Sequence, residues 1–415
     1  MTNLLLREVR VWPREPGGDA VDVVIRDGRI TAISPHVRAD TAIASADDMP
    51  IAEGRNGVLL PAFADVHAHL DSTRLGLPFR PHTAGDDLAS LIDNDRANWR
   101  TAEEDVATRA TRTLGLTIAS GATFVRSHAQ IDTGTGLDRL EGVLAARAAH
   151  AERAKVQIVA FPQAGIVRDP GTADLLAAAL RAGADLIGGI DPCGYDRDPV
   201  DHLDVVFGLA EKHQVGVDIH LHDAGELGAF TFELIAERTA ALGMQGNVTI
   251  SHAFALPTVD HRRQAELIEL LATHDIALAT VAPTPPDALP LQALRAAGVR
   301  VGLGQDGTRD YWSPYGNGDV LERVWQLAFC AYYRHDELIE GCVDLAARGG
   351  RSLVEGGPWT RTPMVDDERS GLAVGAPAEL VVVAADTVSA AVMDHPPRTL
   401  VIHAGRVVAG DGQVV

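Results

Sequence analysis

Short apolar runs recur through the middle of the chain, at VLLPAFADVHAH, ATFVRSH, VQIVAFPQAG, DLIGGIDP, VGVDIHLHD, VTISHAFA, IALATVAPTPP and VRVGLGQDG. Between them lie Ala- and Leu-rich amphipathic stretches such as LDRLEGVLAARAAHAERA and QAELIELLATH. Runs that are apolar almost throughout suit strands buried on both faces, and helices between them make the sheet parallel. Eight such repeats predict an α/β fold built on a closed (β/α)8 barrel of the TIM type. An open doubly wound sheet is the alternative. Against it, no GxGxxG follows an early strand and GGIDPCG lacks the spacing, so a dinucleotide site has no support.

The flanks read differently. LLLREVRVW and DAVDVVIRDGRITAIS at the start are short Val- and Ile-rich strands around a DG turn, and AELVVVAA and TLVIHAGRVVAG near the end are strands around turns. VVIRDGRITAI and LVIHAGRVVAG share a pattern of apolar pairs around Gly-Arg. Both termini are therefore expected to build one small β-sandwich domain, residues 1–60 plus 368–415, with the barrel, residues 61–367, inserted between them.

A chain of 415 residues buries roughly three quarters of the surface its unfolded form exposes, so no disulfide or metal is needed merely to fold. The formal charge of −21 repels phosphate backbones, which excludes nucleic acid as a partner. No apolar run approaches the roughly 18 residues a membrane helix needs, and charges interrupt the leucines of MTNLLLREVR, so no membrane partner and no export signal are expected. Cys193, Cys330 and Cys342 form no CxxC pair, which suits a reducing cytoplasm. Self-association into a homo-oligomer is expected.

Polar residues gather at the carboxyl ends of the expected strands, the face where barrel enzymes place their active sites. His67 and His69 end the first strand, His220 and His222 the fifth, His252 the sixth and Asp306 the eighth. Side chains two apart on a strand point the same way, so each HxH pair faces the interior. Two histidines on one face of an apolar strand are costly to desolvate without a partner, and imidazoles with a carboxylate suit one divalent ion, zinc or iron(II). Such a set leaves coordination open for a water, which points to a hydrolytic site. His128 and His82, outside any pair, read as structural histidines. Cys193 reads as a small loop residue.

ADVHAHLD, the later HxH, the SHA segment and the GxD after the eighth strand together resemble the amidohydrolase superfamily, in its mononuclear branch of cytosine deaminase and N-isopropylammelide isopropylaminohydrolase. The resemblance covers nearly the whole chain. VAFPQAGI is similar to the cytosine deaminase segment whose glutamine binds the pyrimidine, while GIDP, HLHD, TPP and RDYWSPYGNGD look closer to the isopropylammelide enzyme. The resemblance implies that His67, His69, His220 and Asp306 bind one metal, that His252 orients the hydroxide on it and exchanges its proton, and that Asp306 joins the proton shuttling. It implies that Gln163 and Trp312 contact the substrate. Two-metal relatives bridge their ions with a carboxylated lysine, but the only lysines here, Lys155 and Lys212, lie before a strand and in a helix.

Three positions depart from the pattern. Cytosine deaminases place Glu where Asp223 stands, to protonate the ring nitrogen, and His222 is expected to share or assume that task. A second acidic residue follows the metal Asp in cytosine deaminase; here Gly307 stands there, which predicts room for a larger substituent. Ser72 stands where the isopropylammelide enzyme has lysine. The expected function is a metal-dependent aminohydrolase that removes ammonia or a small amine from an aminopyrimidine- or aminotriazine-like ring. The alternatives are a cyclic amide hydrolase that opens the ring, as in hydantoinase-like relatives, and a non-catalytic assembly protein on the same fold.

Overall fold

The computed structural model of the protein describes residues 3–12, 18–37, 49–355 and 371–415. Four strands form first: β1 (Asn3–Val11), β2 (Val21–Arg26), β3 (Arg29–Pro35) and β4 (Ile51–Pro61). Eight more follow with helices between them: β5 (Phe63–Ala68), β6 (Ala122–Gln130), β7 (Lys155–Phe161), β8 (Leu186–Ile190), β9 (Gly216–Leu221), β10 (Val248–His252), β11 (Ala277–Thr280) and β12 (Val301–Leu303). The chain ends in β13 (Leu380–Val383), β14 (Arg398–His403), β15 (Arg406–Gly410) and β16 (Gln413–Val414).

Strands β5 to β12 lie side by side in chain order and pair in parallel throughout. The two edges meet where the Asp306 N–H donates to the His67 carbonyl at 2.7 Å and Ala68 bridges to Asp306. This is the expected barrel of eight strands, and the open-sheet alternative falls. The amphipathic stretches are its outer helices. Asp138–Ala149 buries Leu140 and Val143, and His261–Thr273 buries Leu267 and Leu271 and starts at Asp260, whose carboxylate accepts the Arg263 N–H.

The terminal strands form a second eight-stranded sheet, ordered β16-β15-β14-β13-β4-β1-β2-β3, around its own core of Leu6, Val23, Ile25, Leu380, Val382 and Ile402. It is the small β domain expected from both termini; the boundary expected between residues 367 and 368 lies outside the described residues. The two similar segments are the hairpins β2–β3 and β14–β15. Each turns through two residues at positive φ, Asp27-Gly28 and Ala404-Gly405, the backbone a tight two-residue hairpin needs. The turns abut, since a Cβ on Gly28 would stand 3.2 Å from the Ala404 carbonyl oxygen.

One apolar run is shared between the two sheets. VLLPAFADVHAH is not a single barrel strand: Val58–Pro61 pairs with β13 in the terminal sheet, and the barrel begins at Phe63. Pro61 has no N–H, and then Ala62 donates to Glu379, just before β13, while Phe63 donates to Gly121 beside β6. Consecutive amides thus serve different sheets. Lys155 opens β7 and Lys212 lies in the helix Pro199–His213, both away from the carboxyl ends of the strands. The three cysteines are free, and no described helix is long and apolar enough to cross a membrane.

Candidate active site

A cavity of about 450 Å3 opens at the carboxyl ends of the barrel strands. His69, Gln163, His220, His222, His252, Asp306 and Trp312 all line it, and His67 lies directly beneath, fully buried. Period-two alternation on β5 and β9 brings both HxH pairs inward as expected. Phe161 stacks on His220 with centroids 4.0 Å apart and 22° between planes, and Phe254, Leu88, Leu91 and Ile190 complete apolar walls suited to a flat ring.

At the floor, His69 Nε2 stands 3.3 Å from His220 Nε2 and 3.4 Å from Asp306 Oδ1, and His67 Nε2 stands 3.6 Å from the same oxygen. Donors about 2.0–2.1 Å from a tetrahedral ion stand about 3.4 Å from each other, so these three spacings are close to those between ligands of one ion. The protonation of His67 is set from behind. Ser251 Oγ donates to Asp218 at 2.6 Å, so its oxygen accepts from His67 Nδ1 at 2.9 Å, and the lone pair of Nε2 faces the cavity. Asp218 is held in turn by Arg126 at 2.8 Å. His67 Nε2 meets no hydrogen-bond partner, a costly state for a buried imidazole and the one a bound cation relieves. The residues fit a divalent metal.

The surroundings of His67 hold more donors than sequence reasoning assembled. His67, His128 and His220 offer one ligand atom each within 4.8 Å, and so do His67, His252 and Asp306. His128, set aside as structural, is fully buried with neither ring nitrogen partnered, its ring 4.3 Å from that of His67. The other lone histidine, His82, lies on the surface beside a separate shallow pocket.

Burial pulls the imidazoles of His220 and His252 well below the ordinary range, so both are neutral at pH 7. His252 and Asp306 sit at φ 67° and 63°, a left-handed backbone that turns their side chains over the cavity where the strands end. His222 behaves oppositely. Burial pulls its ring down, but Asp191, whose Oδ2 lies 2.7 Å from Nδ1, outweighs it and raises the pKa, leaving Nε2 as the free nitrogen of a ring in the cavity wall. Asp191, at the end of β8, also accepts the N–H groups of His222 and Asp223.

Asp223 is placed elsewhere. Its Oδ2 accepts the Gly194 N–H at 2.9 Å, and it does not line the cavity. Gln163 lines the cavity, its amide nitrogen donating to Asp95 at 2.9 Å. Asp95 is bound through both oxygens by the buried Arg139 at 2.9 Å. A carboxylate only accepts, so Gln163 must give its NH2 to Asp95 and turn Oε1 away from it. Asp95, Arg139, Asp191 and Ser251 were not singled out in the sequence; GIDP, a strand ending in an acid, was the one visible signal for Asp191. Cys193 receives a hydrogen bond from Thr231 at 3.3 Å and lies outside the cavity.

Comparison with known proteins agrees with this architecture. The sequence model of the family described as Amidohydrolase family matches residues 54–409. The crystal structure of N-isopropylammelide isopropylaminohydrolase from Burkholderia multivorans ATCC 17616 is 38% identical, with a TM-score of 0.88 and full coverage of both chains. N-isopropylammelide isopropyl amidohydrolase of Pseudomonas sp. (strain ADP) is 28% identical over 88% of this chain and 89% of its own. The structure of 5-methylcytosine deaminase from Klebsiella pneumoniae liganded with phosphonocytosine is 25% identical, with a TM-score of 0.79, covering 98% of each chain.

Proposed function

The chain belongs to the amidohydrolase family of metal-dependent hydrolases, and from that premise we propose that it removes ammonia or a small amine from an aminopyrimidine- or aminotriazine-like ring. The observation that carries this reading is the convergence of His67, His69, His220 and Asp306 under a ring-sized cavity, where His69 Nε2 stands 3.3 Å from His220 Nε2 and 3.4 Å from Asp306 Oδ1, and His67 Nε2 stands 3.6 Å from Asp306 Oδ1. These four would hold one divalent ion, zinc or iron(II). Bound there, the ion would supply Lewis acidity to the attacking water and to the site of attack.

The chain's own groups divide the remaining work. Phe161 and the apolar wall opposite hold the ring flat, and Trp312 closes one side of the cavity. Gln163 Oε1 accepts an N–H on the ring edge, because its amide nitrogen is committed to Asp95. His252, neutral through burial, accepts the water proton at a ring nitrogen and, with Asp306, returns it toward the leaving amine. His222, held by Asp191 at Nδ1, donates from Nε2 to the ring nitrogen beside the carbon under attack. That step suits His222 better than Asp223, whose carboxylate is turned to Gly194. The C–N bond breaks and the water oxygen stays on carbon as the oxo group; one water proton departs with the amine by way of His252 and Asp306, and the other restores His222, whose own proton stays on the ring nitrogen.

A panel of aminopyrimidines and aminotriazines, assayed for ammonia and alkylamine release, tests this. The expected result is amine release from at least one member, about one divalent ion per chain, and loss of both in His220→Ala. Ring opening without amine release would replace the reading with a cyclic amide hydrolase, and silence of the metal-loaded protein on every ring would end it.

A further inference from the structure

We propose that Asp310 is the group that receives the exocyclic amine of the substrate, accepting its N–H through Oδ2; this rests on the aminohydrolase reading above. Asp310 lines the same cavity as Asp306 and Ser72. Its two oxygens do different things. Oδ1 accepts the N–H groups of Trp312 at 2.8 Å and Ser313 at 2.9 Å, which fixes the loop after Asp306. Oδ2 stands 3.2 Å from the Ser72 hydroxyl oxygen, which also stands 3.3 Å from the His69 carbonyl and has one proton to give between the two. One carboxylate oxygen is thus loosely committed and faces the cavity.

Gly307 explains how the carboxylate reaches this place. A Cβ at position 307 would collide with Asp310 Oδ2, so the room that a glycine leaves beside Asp306 is filled by the carboxylate of Asp310. The sequence predicted space for a larger substituent at Gly307, and the structure puts an acceptor there instead. Burial raises the Asp310 pKa to about 6, and the backbone N–H groups of Trp312 and Ser313 and the nearby His69 offset that burial only in part.

An amine offers N–H to this oxygen. The oxo group that replaces it in the product offers only lone pairs, which a carboxylate repels. Asp310 therefore favours substrate over product, and it hastens release of the oxo ring.

The test measures product inhibition against substrate KM for an amino ring and its oxo counterpart, in metal-loaded wild type, Asp310→Asn and Gly307→Ala. An Asn keeps an oxygen for the loop and turns an NH2 to the cavity, so the oxo ring should bind about tenfold tighter while kcat/KM for the amino ring falls about tenfold. Gly307→Ala, which displaces the carboxylate without removing it, should lose the same discrimination if the Asn variant does not fold. A merely structural Asp310 would weaken both ligands together. An active wild type whose product-to-substrate ratio is unchanged in the folded variants overturns the assignment alone; a wild type that processes no amino ring overturns the aminohydrolase reading and this assignment with it.

Discussion

His222 and Asp223 are adjacent in sequence and part company in space. The imidazole enters the cavity on the support of Asp191, and the carboxylate turns out to the Gly194 amide. His222→Ala is therefore expected to lower kcat by about 10²-fold or more, the scale of a lost general acid, and Asp223→Ala by less than about tenfold. Steady-state kinetics on any processed ring distinguishes the two. Asp191→Asn carries a signed pH effect: Asp191 raises the His222 pKa, so its loss lowers it, the acid form disappears at lower pH, and the alkaline limb of the kcat profile moves down. A profile whose alkaline limb stays fixed would remove His222 from the acid role. The histidines at 67, 69, 220 and 252 and Asp306 were legible because strand alternation and strand ends fix where they point. Asp191, Asp95 and Ser251 were not, because each acts through a partner far along the chain, 31, 68 and 184 residues away respectively.

The segment after β7, which carries Gln163, shows how one buried acid shapes an element. Asp196 accepts the N–H groups of Ile166, Val167 and Arg168 at 2.8–2.9 Å, and His202 Nδ1 at 2.7 Å. Burial raises its pKa, but these donors outweigh burial and lower it to about 2. A carboxyl whose folded pKa lies below its unfolded value near 4 stabilises the fold above that unfolded value and loses the contribution as pH falls toward 2. Asp196→Asn is expected to cost about 2 kcal/mol at pH 7 and much less at pH 2.5, read by denaturant unfolding at both. An equal cost at both would assign the effect to packing. At this scale the eight barrel strands were readable from their apolar runs, since buried parallel strands leave a continuous signal. Within VLLPAFADVHAH the apolar pattern runs on without a break, and the change of sheet at Pro61-Ala62 shows in the partners of successive amides.

Across the whole molecule, the candidate ligands come from β5 and β9 and from the residues after β12, so one ion would tie the first strand of the barrel to the last. Anything that binds only the folded state stabilises it, by about 2.7 kcal/mol at a free concentration one hundred times Kd. Chelation is therefore expected to lower the midpoint of thermal unfolding, and zinc or iron(II) to restore it; His220→Ala should show neither shift. A midpoint indifferent to chelator in the metal-loaded wild type would show that the ion does not link the two edges.

The split terminal sheet also sets an order of manufacture. In the finished protein β4 lies between β1 and β13, the latter more than three hundred residues further along the chain. At a ribosome's pace of about 5–20 residues per second, the outer edge of β4 waits tens of seconds for its neighbour, its amides and carbonyls unpaired. During that interval the open edge of β4 can take up a strand from another chain, and the arrival of β13 closes it.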